Sequence, residues 1–322
     1  AMYRVVKREG IGQIAVEEAP TPMLGPRQIL VRNRRTLISR GSEIGRRYLD
    51  PHALDPKIMG YSAAGVVAAV GEGVDAYVVG QRVAAVAPHA ELVVVDLAVE
   101  DGSWVVPIPD GVSFDAATFQ PLITGALWWS KIGGIQAGET VAILGQGLVG
   151  NLMLQASQAY RPGRLIAVDA LATRCALARR FGADVVIDAA ADDPVASVRD
   201  ATNGKGADLV VDCVGGKAGI TSFAQALDLC RPGGRIHLIA LYHGETLPLD
   251  SSKIQRKLLI GGYYSEEPRA PFARQAMSAL ANGTIRVEPL ITHHFPFGEA
   301  KAAFDLLYQR PGDALGVILD WE

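Results

Sequence analysis

Three glycines and one carboxylate carry the most specific chemistry in the sequence. Gly145, Gly147 and Gly150 stand at the spacing G-x-G-x-x-G, directly behind the apolar, partly β-branched run at 141–144, and residues 151–160 read as a helix. A strand buried on both faces has that composition. Each glycine has its own task. Gly145 permits a tight turn, Gly147 lets the backbone approach a pyrophosphate, and Gly150 lets the helix pack close to the strand. Leu148 and Val149 lie between them, where the helix N-terminus offers N–H groups and a positive dipole end to phosphate. Residues 164–169 (RLIAVD) read as a second strand that ends in Asp169, nineteen positions after Gly150. A carboxylate there accepts hydrogen bonds from an adenosine ribose and repels a 2′-phosphate, which predicts NAD(H) over NADP(H). A lone glycine motif is weak, and the alternative is a strand–turn–helix that binds nothing. The complete βαβ setting weighs against it.

The elements that must position these groups follow a clear rhythm. From 140 to 262 the chain alternates strand and helix: VAILG, NLMLQASQAY, RLIAVD, RCALARRFG, DVVID, DLVVDCVG, SFAQALDLC, RIHLIAL and KLLIGGY. That alternation predicts an α/β fold with a doubly wound parallel sheet. Arg231-Pro232-Gly233-Gly234 reads as a helix-to-strand turn. Residues 3–100 carry short strands punctuated by Gly and Pro, a compact β-rich region, and a proline-spotted connector follows at 106–111. Ser113 is a plausible N-cap for a short helix at 114–118, and 124–132 continues as helix towards the glycine loop. Beyond 262 come helices at 272–281 and 298–308, separated by a stop at Asn282-Gly283, and a final strand from Gly316 to Asp320.

Composition narrows the partners. The chain has 322 residues, enough for two cores, with 49% hydrophobic and 20% charged residues and a net charge of -3. Nothing in that balance points to nucleic acid or to an anionic membrane. No apolar run has spanning length, and the N-terminal AMYRVVKREG lacks a signal-peptide core, so a cytoplasmic location is expected. Cys175, Cys213 and Cys230 are scattered and odd in number, which suits a reducing compartment and argues against a cysteine zinc site.

Across almost its whole length the sequence resembles the medium-chain dehydrogenase/reductase superfamily, the zinc-type alcohol and polyol dehydrogenases in particular. The resemblance rests on GYSAAGVVAAVGEGV at 60–74, VGQRVA at 79–84, GQGLVG at 145–150, LARRFGADVVID at 177–188, GADLVVDCVG at 206–215 and LCRPGGRIHLIA at 229–240, in the family's order. It implies a GroES-like β-rich catalytic domain at 1–120, completed by 264–322, and a Rossmann dinucleotide-binding domain at 121–263. It also implies a hydride-transferring enzyme acting on a small molecule, assembled as a homodimer or homotetramer through the apolar edge at 257–262. By the same resemblance Thr124 touches the nicotinamide, Val214 joins the cofactor-binding positions, and Arg174 lies against the adenine while Asp169 decides the cofactor.

The three catalytic zinc positions of the family are changed here. Arg40 stands for the cysteine, Tyr61 for the histidine and Gln120 for the third ligand, and the four-cysteine structural zinc lobe is missing. Arginine is no ligand, and tyrosine and glutamine are poor ones for Zn²⁺. The expectation is a member of a zinc-free branch, without zinc. A developing alkoxide must then meet hydrogen-bond donors instead of a metal. Ser42 aligns with the family's proton-relay hydroxyl, Tyr61 with the residue pointing at the metal, and His89 with a pocket residue, while Arg40 offers a fixed charge.

Each has a plainer reading. Arg40 pairs with Glu43, Tyr61 packs, and His89 supports a turn. His293 and His294 read as strand positions, His243 as a loop residue near the nicotinamide end, and Trp128 and Trp129 as packing of the long helix. The leading reading is NAD(H)-dependent, zinc-independent interconversion of a secondary alcohol and a ketone on a sugar, polyol or natural-product intermediate. The rivals are an enoyl or quinone-type reductase using NAD(P)H and a non-catalytic NAD(H)-binding redox sensor.

Overall fold

A computed structural model describes residues 1–99 and 104–322, so position 100, at the end of the predicted β-rich stretch, lies outside the described residues. These residues form two compact units, one joining 1–124 to 268–322 and the other continuous from 125 to 267. The first unit begins with β1 (Met2–Lys7), β2 (Ile14–Ala19) and β3 (Gln28–Ile38), followed by a π-helical segment, Arg40–Tyr48. Next come β4 (Ala63–Val70), β5 (Arg82–Ala85), β6 (Leu92–Asp96), β7 (Val105–Pro107) and α1 (Phe114–Ala117), then α2 (Gln120–Ile132), whose residues from Gly125 on belong to the second unit. The second unit holds β8 (Thr140–Leu144), α3 (Leu148–Ser157), β9 (Arg164–Asp169), α4 (Ala172–Arg180) and β10 (Val185–Asp188). It continues through α5 (Pro194–Ala201), β11 (Ala207–Asp212), α6 (Ala218–Leu229), β12 (Cys230–Leu238), α7 (Ser251–Ile254) and β13 (Leu258–Gly261). The chain then returns to the first unit with α8 (Ala270–Ala281), β14 (Ile291–Pro296), α9 (Ala300–Gln309) and β15 (Gly316–Asp320).

The fold class is α/β, with a β-rich GroES-like unit and a Rossmann-like parallel sheet. Among the described residues the second unit's sheet has the order β10-β9-β8-β11-β12-β13, with all neighbours parallel. The order reverses between β8 and β11, and open α/β sheets bind ligands beyond the carboxyl ends of the strands at such a point. Val141, Ala142 and Ile143 are wholly inaccessible and Leu144 nearly so, as the uninterrupted apolar run of β8 requires.

In the first unit the main sheet runs β14-β15-β3-β4-β5-β7, with β6 also on β3, and β1 and β2 pair separately. β3 carries a bulge that matters for the site. Its register against β4 slips between Asn33 and Arg35, and its buried positions change phase there: Ile29, Val31 and Asn33 before it, Thr36 after it. One extra residue turns the following side chains to the other face, which carries the Thr36 hydroxyl into the interior.

Several elements differ from the sequence reading. α3 starts at Leu148 and not at 151, because Gly147 is already the N-cap and Gly150 lies inside the first turn. α8 starts at Ala270, with a proline in its first turn, a place where the missing N–H costs nothing. The predicted helix at 298–308 is realised as α9, after a short 3-10 turn, Phe297–Glu299. Arg231 to Gly234 lies within β12, where Gly233 has φ +77° and the pairing with β11 is irregular. The segment Arg40–Tyr48, to which the sequence assigns no element, is helical with an i to i−5 bond from Leu49 N–H to Ile44 O (3.3 Å). Among the described residues no helix is long and apolar enough to cross a membrane.

Candidate active site

At the carboxyl end of β8 the glycine loop is built by close backbone contacts. Gly145 has φ +82°, and a Cβ there would come within 2.7 Å of the Val214 side chain. At Gly150 a Cβ would fall 1.7 Å from the Gly145 carbonyl oxygen, so only glycine lets the helix start there. Gly147 is different. Its φ of −68° suits any residue, and a Cβ would meet only the Arg174 guanidinium at 3.9 Å. The space over Gly147 is open, and no side chain caps the helix N-terminus behind it. The residues between and after the glycines brace the loop: Asn151 Nδ2 donates to Gln146 O (2.6 Å), and Gln146 Nε2 donates to Ile143 O (3.0 Å).

Asp169 ends β9 beside this loop and is buried. Its Oδ2 accepts from Gln146 N–H (2.6 Å) and its Oδ1 from Leu171 N–H (2.9 Å), while Arg174 Nη1 lies 3.8 Å from Oδ2. The carboxylate therefore orders the loop backbone. Across the switch point, Asp212 at the end of β11 accepts from Val214 N–H (3.1 Å), Ser222 Oγ–H (2.7 Å) and Tyr242 O–H (2.9 Å). Burial pushes its pKa up to about 6 against those three donors. An open amide cradle, an acid at the next strand end and a pinned Val214 together fit a dinucleotide. Gly145, Gly147, Leu148, Val149, Gly150, Asp169, Arg174 and Val214 gather here. His243 follows β12 with φ +54°. Trp128 and Trp129 are buried on α2, their rings 5.7 and 6.0 Å from that of Tyr263.

The second cluster lies in the first unit. Tyr61 is half-buried, and burial lifts its pKa to about 12, with the Ser39 and Ser42 side chains beside it acting against the rise and the Glu43 charge adding to it. The phenol stays protonated at neutral pH. The Arg47 guanidinium sits over its ring, 5.8 Å from the centroid. Glu43 is wholly buried; Ser39 N–H donates to its Oε2 (2.7 Å), and Arg47 Nη1 lies 3.7 Å from its Oε1. His89 Nε2 lies 2.8 Å from Glu43 Oε1, and His89 Nδ1 lies 2.8 Å from Thr36 Oγ1, which also accepts from Trp321 Nε1–H (2.9 Å). Gly60 makes room for this ring, since a Cβ there would come within 2.8 Å of it.

The positions aligned with metal ligands take other partners. Arg40 Nη1 donates to Leu307 O (2.5 Å) near the C-terminus of α9, where a cation meets the negative end of the helix dipole. Tyr48 O–H also reaches α9, at Asp305 (2.7 Å), so both ends of the π-helical segment are tied to that helix. Gln120 Nε2 donates to Thr124 Oγ1 (3.0 Å) one turn along α2. Tyr61 and Ser42 are brought together. His89 bonds Glu43, whose neighbour Arg47 lies over the Tyr61 ring, and Arg40 reaches α9. His294 reaches Asp115 (2.9 Å) and His293 stacks on Phe295, both on β14. Glu43, Ser39, Thr36 and Trp321 complete this network and are not among the site residues that the sequence predicts. Only Ser39 and Glu43 carried a signal, as neighbours of Arg40 and Ser42.

Comparison with known proteins points the same way as the glycine loop. The family model described as zinc-binding dehydrogenase matches residues 149–281. The L-threonine 3-dehydrogenase of Bacillus subtilis is 26% identical, the match covering 99% of this chain and 98% of that protein. Sorbitol dehydrogenase of Homo sapiens is 27% identical, over 91% of this chain and 90% of that protein. Among solved structures, an alcohol dehydrogenase from Thermus sp. ATN1 has a TM-score of 0.83 at 26% identity, covering 99% of both chains. These likenesses support a place in the medium-chain, zinc-type alcohol and polyol dehydrogenase-like superfamily, and the chain is an alcohol dehydrogenase-like oxidoreductase.

Proposed function

We propose that this chain is a zinc-independent, NAD(H)-dependent dehydrogenase that interconverts a secondary alcohol and its ketone on a sugar, polyol or related small molecule. The observation that carries the reading is Tyr61, half-buried and protonated at neutral pH, with the Ser39 and Ser42 side chains beside it and the Arg47 guanidinium over its ring, where the family keeps a metal ligand. The donor set does not fit zinc. Arg40 is a cation engaged with a helix carbonyl, and Tyr61 and Gln120 offer a neutral phenol and an amide in place of thiolate, imidazole and carboxylate.

The nicotinamide, when bound, supplies or accepts the hydride. Gly147, Leu148 and Val149 would hold its pyrophosphate and Asp169 the adenosine ribose, which favours NAD(H). In ketone reduction Tyr61 donates its proton to the oxygen as that oxygen gains charge, and Ser42, also half-exposed, returns a proton from water. In the reverse direction the alcohol proton leaves by the same hydroxyls. The proposal includes a cytoplasmic homodimer or homotetramer paired along β13, whose Leu258 is exposed.

Tyr61→Phe tests the assignment, because it keeps the ring and deletes only the hydroxyl. With NADH and a panel of hydroxy-ketones, sugars and polyols, kcat on the best substrate falls on the order of 10²–10³-fold while NADH affinity is unchanged. The purified protein carries far less than one zinc per chain and keeps its activity in chelator. Full turnover by Tyr61→Phe, or a tightly held zinc needed for activity, overturns the reading.

A further inference from the structure

We propose that Asn151 is a positioning residue that presents the Gly147 and Leu148 N–H groups to a pyrophosphate, by turning the carbonyls of Gln146 and Gly147 inward. The inference rests on the reading of the glycine loop as a dinucleotide site. Asn151 follows the last glycine of the motif, in the first turn of α3, and is wholly inaccessible. It cannot touch a ligand itself, so what it does must pass through the loop backbone.

That backbone is held peptide by peptide, and the direction of the amides changes along it. Gly145 N–H donates to Val168 O (2.8 Å) and Gln146 N–H to Asp169 Oδ2 (2.6 Å), so both amides are spent on β9. The next peptide is held by its other end. Asn151 Nδ2 donates to Gln146 O (2.6 Å), and in a trans peptide the Gly147 N–H then points the opposite way, away from Asn151. The Gly147 carbonyl takes both the Asn151 N–H (3.0 Å) and Asn151 Nδ2 (3.2 Å), which turns the Leu148 N–H outward in the same manner. With two carbonyl oxygens to meet, the side chain must offer its NH₂ group and not its oxygen.

The Gln146–Gly147 peptide is the one that needs such a hold. Turning it over changes ψ of Gln146 and φ of Gly147, and the φ of Gly147, −68° here, would become positive, a region that glycine enters freely and other residues avoid. A peptide turned over would set a carbonyl oxygen where an N–H should meet the phosphate. The glycine that leaves room for the ligand thus leaves its own peptide free to turn, and Asn151 settles the direction. Stability alone does not account for an amide at this place. Asn151 Oδ1 is buried without a hydrogen-bond partner among the described residues, a cost that a leucine of similar shape would not bring.

The test compares Asn151→Leu with the wild-type protein in titrations of NADH, ADP-ribose and adenosine, with thermal melts as the check on folding. NADH and ADP-ribose, which contain the pyrophosphate, bind on the order of 10–100-fold more weakly, as loss of charge-assisted hydrogen bonds does, while adenosine binds as before. A general loosening of the loop would weaken all three alike, because Asp169 is bonded to the same backbone. That uniform loss, or unchanged affinity for NADH and ADP-ribose, overturns the positioning role and leaves the dinucleotide reading standing. A wild-type protein that binds neither NADH nor ADP-ribose overturns both. If Asn151→Leu fails to fold, Asn151→Ala, read on the same three ligands, decides.

Discussion

The glycine loop and the Tyr61 cluster are built on opposite plans. Around β8 and β9 most of what is required lies between Gly145 and Asp169, and the glycine requirements fall on backbone: a left-handed turn, a Cβ-free contact, an open amide. The Tyr61 cluster draws on β3, the π-helical segment, the turns carrying Gly60 and His89, and Trp321, and what it needs is side-chain hydrogen bonding. A backbone requirement leaves a mark at fixed spacing. A polar network closed by the fold leaves none, because its members need only meet in space.

The sharpest way to break this contrast is a pair of alanines in the loop. Gly150→Ala drives a Cβ into the Gly145 carbonyl and lowers stability by about 3 kcal/mol or more, with NADH binding lost alongside. Gly147→Ala, in open space at an ordinary φ, leaves the thermal melt unchanged and weakens NADH alone. Thermal melts and fluorescence titration with NADH separate the two. Equal behaviour of both variants would show that the loop is not backbone-limited.

A second effect lies in the core of the same sheet. Burial pushes the His237 pKa down to about 4, the Gly262 and Gly261 backbone opposing. The folded state then binds its proton less readily than the unfolded chain, whose histidine titrates near 6.5. Its contribution is whole above pH ~6.5 and is lost as pH falls towards ~4, about 3 kcal/mol in all. Asp212 acts with the opposite sign. Its pKa is raised to about 6 by burial, so its contribution falls as pH rises from about 4 through 6. Urea melts between pH 4 and 7 check both: His237→Phe removes the acid-side loss, and Asp212→Asn gains stability towards neutrality. A His237→Phe melt with the wild-type pH slope would exclude the imidazole as the cause.

The smallest effect concerns Asp169, where the two plans overlap. Asp169→Asn keeps an acceptor for the Gln146 or Leu171 N–H but removes the charge that repels a 2′-phosphate. The preference for NADH over NADPH narrows by about tenfold, roughly 1.4 kcal/mol, in competitive titrations. A wild-type protein that binds NADPH more tightly would reverse the cofactor proposal.

The sequence made the second unit's alternation readable because strands buried on both faces are continuous apolar runs, and β9 and β15 begin and end where those runs do. The α3 start is not legible because a glycine inside a first helical turn looks like loop. Nothing in RGSEIGRRY signals a π-helical segment, whose ends are fixed on α9 by Arg40 and Tyr48. The phase change in β3 depends on one bulged residue, which period-two reading passes over. The meeting of Thr36 with Trp321 has no sequence trace, since the two stand far apart in the chain.

That last distance bears on the order of assembly. β15 is the strand that joins β3 to β14, and it leaves a ribosome after the whole of the second unit has emerged. Until then β3 has an unpaired edge, and Thr36, behind the bulge, lacks its indole partner. The second unit, continuous in the chain, can form its parallel sheet first and shorten the loop that separates the two ends of the other. Synthesis therefore lets the second unit's parallel sheet form before Thr36 can meet Trp321, and the nascent chain spends that interval with an open strand edge exposed to wrong partners.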